Sequence, residues 1–454
     1  MWRLESVAGM TRGEWLRSIA MVAAMGAILC QSPTSRAADA RTVMDASAFV
    51  KMIGICVHMP YTDGAYANLP NVLADLKFLG VRNVRDGIPG TDGVPSLQAR
   101  DALKRMALEG IKFNMIFPSG LGAGAAINYL QILEKAVPGS VAYVEGYNEI
   151  NNFAVSFDGA TGPEAALNGQ KALYHAIKAD PALKAVPVID LTGFDMVKDP
   201  KFTHGSSLAG LADVMNIHVY AQNGDQPERW IAPGKPSIYA AMKDDLPKAI
   251  TEFGYATRPE SGWLVIGVDE RTQAKGILNG LLDAARAGFD VIYIYELLDE
   301  KADPENAELG FHFGLFTFDN RPKAAAKTIR NLTSLLAADD GGGTRAVAGA
   351  QAVEVVVEAP GAKEPVHSLA LTKANGNPVA AVWREPPFWN RAEGKPLEAP
   401  PLQVTVSFKG ACRSTRTYDV LTSDQPVATQ AIATVALSLG DHGQFVECVR
   451  AHPP

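Results

Sequence analysis

Eight short apolar runs alternate with helical patterns between about residue 50 and residue 338, and this rhythm restricts the chain to very few folds. The runs cover residues 53–58, 83–86, 112–117, 141–147, 186–191, 214–219, 249–253 and 291–296. None shows a long polar alternation, as expected of parallel strands covered on both faces. Helical periodicity fills most of the intervals, at residues 72–79, 97–108, 126–136, 164–179, 270–287 and 323–336. The intervals flanking strand six carry weaker helical signals. Eight strand–helix units in this order predict an α/β fold, a (β/α)8 TIM barrel.

A doubly wound open sheet is the competing architecture, with fewer strands and one ligand-binding switch point. The run Gly120-Leu121-Gly122-Ala123-Gly124-Ala125 follows a strand as a dinucleotide loop would. The acidic ribose partner would end the next strand, whereas Glu145 lies inside it. The run therefore reads as the turn after strand three.

Composition changes at residues 339–343, where Asp-Asp-Gly-Gly-Gly makes a flexible joint. Beyond it, short runs rich in Val, Thr and Ala alternate with turns such as Asn375-Gly376-Asn377-Pro378. Residues 339–454 thus read as a small C-terminal antiparallel β-sandwich, and residues 41–338 as the barrel.

Residues 1–40 read as an export signal. Arg12 and Arg17 precede an apolar stretch at 19–30, and Ala38-Asp39-Ala40 gives an A-x-A cleavage pattern. The stretch is too short to span a bilayer comfortably, and Leu29 before Cys30 is too bulky for a lipidation site. The expectation is a periplasmic or secreted protein of a Gram-negative bacterium, monomeric and without an integral membrane segment after cleavage. Export to an oxidising compartment would pair Cys412 with Cys448, leaving Cys56 as a buried thiol.

Two of the barrel strands end in a glutamate. Gly146-Tyr147-Asn148-Glu149 closes strand four, and Ile250-Thr251-Glu252-Phe253-Gly254 closes strand seven. Barrel enzymes keep their chemistry at the C-terminal strand ends. Two carboxyls facing one gap are what glycoside hydrolysis needs.

At these residues the sequence resembles clan A of the glycoside hydrolases, families 5 and 39 in particular, over nearly the whole mature chain. Segments His367-Ser368-Leu369-Ala370-Leu371 and Ala380-Ala381-Val382-Trp383 resemble the accessory sandwich of family 39. The resemblance implies a retaining hydrolase of β-linked glycans with Glu149 as acid/base and Glu252 as nucleophile. It implies that Arg85 steadies the nucleophile, Tyr220 hydrogen-bonds it, and Asn148 holds the sugar 2-hydroxyl. His218 and His58 stand where site residues are expected.

The clan's tryptophan at the end of strand eight is missing. Tyr295 offers a flat ring in its place, and Glu296 adds a carboxylate that could bind a sugar hydroxyl or pair with a cation. Trp230 and Trp263 are candidate groove aromatics. The acid is expected to have a raised pKa.

A glycan-binding or matrix-assembly protein on the same barrel, and a transglycosylase using the same residues, remain alternative readings. The composition excludes other classes. A net charge of −7 and the lack of a Lys/Arg stripe argue against nucleic-acid binding. The eight histidines are scattered, with no metal-ligand spacing, and no G-x-S-x-G elbow occurs. No cofactor or metal is expected, and a carbohydrate is the expected partner.

Overall fold

The computed structural model describes residues 43–193, 209–231, 247–258, 267–337, 354–410 and 412–450. Eight parallel strands appear where the apolar runs predict them: Ile53–Cys56, Asn83–Gly87, Lys112–Ile116, Val141–Glu145, Val188–Ile189, Met215–Tyr220, Lys248–Gly254 and Val291–Ile294. They are called strands one to eight below. Hydrogen bonding runs in the order five, four, three, two, one, eight, seven, six. A parallel bridge between Ile189 and Val214 closes the ring, and Asp190 N donates to Val214 O at 3.0 Å. This is a TIM barrel rather than an open sheet.

The helices follow from local chemistry. Asn68 caps Leu69–Leu79 through its side chain, and Gly80 ends that helix in the left-handed region at φ 69°. Gly122 begins helix Ala123–Ala136, so the glycine-rich run is the turn after strand three. Around strand six the described residues hold one short helix, Glu228–Ile231. No helix among the described residues is long and apolar enough to cross a membrane.

The C-terminal part is two stacked sheets. One contains Val366–Thr372, Pro378–Arg384, Cys412–Tyr418, Ala428–Gln430 and Gln444–Arg450; the other pairs Glu354–Glu358, Leu402–Lys409 and Thr434–Leu439. Val43–Asp45 joins the first sheet, parallel to Val366–Thr372. Cys412 and Cys448 are bridged, and Cys56 is a buried free thiol.

Alternation along the first sheet gives it two buried faces. Ala370, Ala380 and Val382 point into the sandwich core with Val404 and Leu437. Leu371, Val379, Ala381 and Trp383 join the barrel's own core. Trp383 is fully buried, and its Nε1 donates to Asp283 Oδ1 at 3.0 Å. Helix Glu270–Arg286 is buried continuously from Thr272 to Ala284 because the barrel covers one side and the sandwich the other. Its polar residues find partners there: Lys275 meets Asp441 at 2.7 Å, and Asn279 donates to Gln226 and to Asp441 O.

Candidate active site

The site lies at the C-terminal strand ends and is assembled around Arg85, the third residue of strand two. Arg85 is 3% exposed. Its Nε and Nη2 bind Glu145 of strand four as a fork, at 2.9 and 2.7 Å, and its Nη1 binds Glu252 Oε1 at 2.7 Å. Nη2 also donates to Asn148 Oδ1 at 2.8 Å. A buried guanidinium is tolerable only when its planar donors are satisfied in this way. Glu145 is fully buried and also accepts from Asn114, Asn216 and Thr251.

Strand seven departs from simple alternation, and the site depends on it. Thr251 and Glu252 are adjacent, yet both side chains face the barrel interior: Thr251 bonds Glu145 and Asn216, while Glu252 bonds Arg85. The ladder with strand six shifts between Ile250 and Glu252, placing Glu252 opposite His218. A bulge that inserts one residue re-aims the next side chain. Backbone space matters as well. A Cβ on Gly254 would stand 2.3 Å from Tyr295 O, and one on Gly146 would stand 1.9 Å from Gln170 Oε1. Glycine is therefore required in both motifs.

Glu149 sits at φ +41°, a region few non-glycine residues occupy. Its carbonyl accepts from Asn152 and Phe153, its amide donates to Thr192 Oγ1, and Asn152 Nδ2 holds Oε2 at 3.0 Å. Oε1 lies 2.9 Å from His218 Nδ1, and Glu252 Oε2 lies 3.5 Å from the same nitrogen. Tyr220 donates to Glu252 Oε2 at 2.6 Å. One oxygen of Glu149, one of Glu252 and a His218 ring nitrogen all fall within 4.8 Å of one another.

His218 has hydrogen-bonding groups at both ring nitrogens. Nδ1 faces the Glu149 carboxylate and donates to it at 2.9 Å. Nε2 lies 3.1 Å from Thr251 Oγ1, 3.3 Å from Thr192 Oγ1 and 3.5 Å from Arg85 Nη2. The two carboxylates beside the ring, Glu149 and Glu252, favour its protonated form. Burial works to lower its pKa, but the charge of Glu252 and the bond and charge of Glu149 raise it above the usual histidine value. Burial likewise works to raise the Glu149 pKa. His218, Asn152 and Arg85 outweigh it and hold that carboxyl below its usual range. The sequence-based expectation of a raised acid is thus reversed in the resting site, because the proton is on the imidazole.

Strands one and eight close the other side of the mouth. Tyr295 stands edge-on to Tyr220, Phe313 and His58, with ring centroids 6.3, 5.5 and 5.5 Å away. Glu296 is fully buried, accepts from Tyr66 at 2.8 Å and lies 3.3 Å from His58 Nε2. No lysine or arginine forms an ion pair with it among the described residues. Trp230 is not drawn into this cluster: its ring packs on the main core under Arg229. Its neighbours Gln226 and Glu228 bond to Pro386 and Glu385. Trp263 lies outside the described residues.

Among the described residues two groupings could offer a metal nitrogen and oxygen donors, His58 with Glu296 and Glu300, and Glu149 with His218 and Glu252. Sequence reasoning missed Glu145, Asn114, Asn216 and Thr192 as parts of the site. The available signal was a charged residue, Glu145, inside an otherwise apolar strand.

Fold and site together define a class: a (β/α)8 barrel with a carboxylate at the ends of strands four and seven, and a β-sandwich clamped on its flank. No protein-family model matches this sequence, and no curated protein matches it. Solved structures do. A monomeric β-xylosidase from Caulobacter crescentus CB15 aligns with a TM-score of 0.53 at 17% identity, covering 91% of this chain and 97% of its own. A glucosidase from Croceicoccus marinus aligns with a TM-score of 0.53 at 13% identity, covering 84% and 92%. At such identities the likeness is one of fold, barrel and sandwich alike.

Proposed function

We propose that this protein is a retaining glycosidase acting on β-linked glycans by double displacement. The observation that carries the reading is the gap between the two glutamates. Their nearest oxygens fall within 4.8 Å of each other beside His218. Retaining enzymes hold their carboxyl groups about 5–5.5 Å apart, whereas inverting ones need roughly 6.5–9.5 Å to admit a water. The fold shared with a xylosidase and a glucosidase supports the same class.

Each residue has a derivable part. Glu252 attacks the anomeric carbon, and the glycosidic C–O bond breaks. Glu149 gives a proton to the leaving oxygen. The resting proton reaches Glu149 from His218 Nδ1 across the 2.9 Å hydrogen bond. Attack itself drives that transfer. The charge of Glu252 is the largest influence raising the His218 pKa, and that charge is consumed as the ester forms. The imidazolium then becomes a stronger acid just when the leaving group needs a proton. In the second half, Glu149 takes a proton from water and returns it to His218 Nδ1, the water oxygen bonds the anomeric carbon, and the ester bond to Glu252 breaks to release its carboxylate. Arg85 and Tyr220 hold the departing carboxylate.

We further read the chain as exported, a reading supported by its leader pattern and the Cys412–Cys448 bridge. The test is product analysis on a panel of β-linked oligosaccharides. Wild type should release sugar with retained anomeric configuration by NMR. Glu252→Gln should abolish turnover, and a 2-fluoro glycoside should leave its mass on the Glu252 peptide. Inverted product would refute the mechanism.

A further inference from the structure

The seam between barrel and sandwich brings two carboxyl groups together. Asp283, near the end of helix Glu270–Arg286, is 1% exposed, and its Oδ1 accepts from Trp383 Nε1 at 3.0 Å. Glu385 follows strand Pro378–Arg384 of the first sandwich sheet, and its Oε2 accepts from the backbone N–H of Glu228 at 2.7 Å. One oxygen of each is left over. Asp283 Oδ2 and Glu385 Oε1 are buried and meet no donor group, yet the two side chains hydrogen-bond each other. Carboxylates offer acceptors only, so such a bond requires a proton between them.

The surroundings make the pair depend on that proton. Arg286 and His367, whose charges act on Asp283, lie 3.5 and 3.0 Å from Glu228 Oε1. Glu228 adds a third negative charge that acts on Glu385, and Tyr255 and Asp225 border the same seam. The other charged groups around it are paired: Arg229 with Asp225, Lys275 and His442 with Asp441, and Arg384 with Glu364. Burial raises Asp283 to about 6, and burial with the Asp283 charge pushes Glu385 well above the usual carboxylate range.

The pair also reaches the scaffold of the active site. Glu228 opens the short helix Glu228–Ile231 in the loop after strand six, the strand that supplies His218 and Tyr220. Gln226 of this loop donates to Pro386 O and Asp441 O, and Tyr255, just beyond strand seven, donates to Asp225 O.

We infer that Asp283 and Glu385 share one proton and act as a pH-sensitive clasp, which holds the sandwich and the loop after strand six to helix Glu270–Arg286 and loosens when that proton is lost. The folded pair keeps a proton that the unfolded chain releases near pH 4. Its stabilisation is therefore complete below about pH 4 and is lost as pH rises through the higher folded value. Deprotonation then sets two negative charges against each other inside the seam. The clasp is separate from the displacement chemistry and does not depend on it.

Urea unfolding of the full chain between about pH 5 and 9 compares wild type with Glu385→Gln, whose amide donates to Asp283 without titrating. Histidines titrate in both proteins and cancel. With one extra proton on the folded wild type, its folding constant should fall relative to the variant's by roughly 10-fold or more between about pH 5 and 8. Asp283→Asn, which still accepts from Trp383, should match Glu385→Gln. Hydrogen exchange gives the local readout. Protection of residues 221–231, corrected for the intrinsic rate, should drop with rising pH in wild type and stay level in Glu385→Gln. A stability difference that does not change with pH, or loop protection that falls equally in both proteins, would overturn the clasp. Where neither variant folds, the wild-type loop decides. A larger fall at 221–231 than in helix Leu69–Leu79 sustains the clasp, and an equal fall or none refutes it.

Discussion

Replacing His218 by asparagine tests where the resting site keeps its proton. In the wild-type protein Nδ1 of the imidazolium donates to Glu149 Oε1 at 2.9 Å, and the His218 pKa is raised above its ordinary 6.5. The pair therefore retains a transferable proton to higher pH than an isolated imidazole would, and the basic limb of kcat/KM lies above 6.5. Asparagine cannot store the proton, which must then reside on Glu149. A hydrogen bond to a charged group is worth about 1.5–3 kcal/mol, and one pKa unit corresponds to about 1.4 kcal/mol. The basic limb should therefore move down by roughly 1–2 pH units. The assay is kcat/KM between about pH 5 and 9 on a 4-nitrophenyl β-glycoside that wild type cleaves. A 2,4-dinitrophenyl glycoside, which departs without protonation, provides the control. Its basic limb should be unaffected by the substitution. An unmoved limb for the 4-nitrophenyl substrate would refute the relay and leave His218 as packing.

Three further outcomes test the frame around the site. Glu145→Leu removes the forked partner of the Arg85 guanidinium and leaves it Glu252 and Asn148, and breaking a buried pair in this way costs about 3–5 kcal/mol; a urea midpoint close to wild type would contradict the fork. Trp383→Ala empties a fully buried indole site and removes a donor from Asp283, so a loss of about 3–5 kcal/mol is expected in the same assay. Burial works to raise the Asp441 pKa, but His442 and Lys275 pull it to about 2, below its unfolded 3.8. Its stabilisation is therefore present above pH 3.8 and lost as pH falls through about 2. Asp441→Asn should be less stable than wild type at neutral pH, with the difference closing in acid; a difference that stays constant with pH would exclude linkage through Asp441.

The barrel was legible because parallel strands buried on both faces read as compact apolar runs, although strand two, with Asn83, Arg85 and Asp86, is largely polar. The two ends that matter were legible because glutamates there interrupt apolar sequence at strands four and seven. What sequence could not supply was register. Thr251 and Glu252 are neighbours in a strand, and only the shift in pairing with strand six turns both inward. Glu145 stood in plain view within Val141–Glu145, but its partner Arg85 lies 60 residues away. The same limit applies to the sandwich. Residues 379–383 are apolar without a break, which signals two buried faces, yet nothing in the run says that the second face meets the barrel. The proton on His218 was also hidden, since it is favoured by two carboxylates brought beside the ring from other strands.

The buried charges argue for chemistry over simple glycan binding. Glu145, Glu149 and Glu252 face Arg85 and the His218 imidazolium, so three negative groups meet two positive ones. All five are at most 8% exposed. Burying such groups costs several kcal/mol per ion even after relaxation, and a stacking groove of aromatic rings would bind sugars without it. The single excess negative charge has a definite use in a glycosidase. The transition state develops positive charge on the sugar ring as an oxocarbenium ion, and fixed charges in a dry site stabilise it without reorganising. A lectin-like barrel binds a neutral ground state and gains nothing from that field. If Glu145 were neutral in function, the excess would vanish, so Glu145→Gln should lower kcat more than it raises KM. The opposite split would identify the cluster as scaffolding for binding alone.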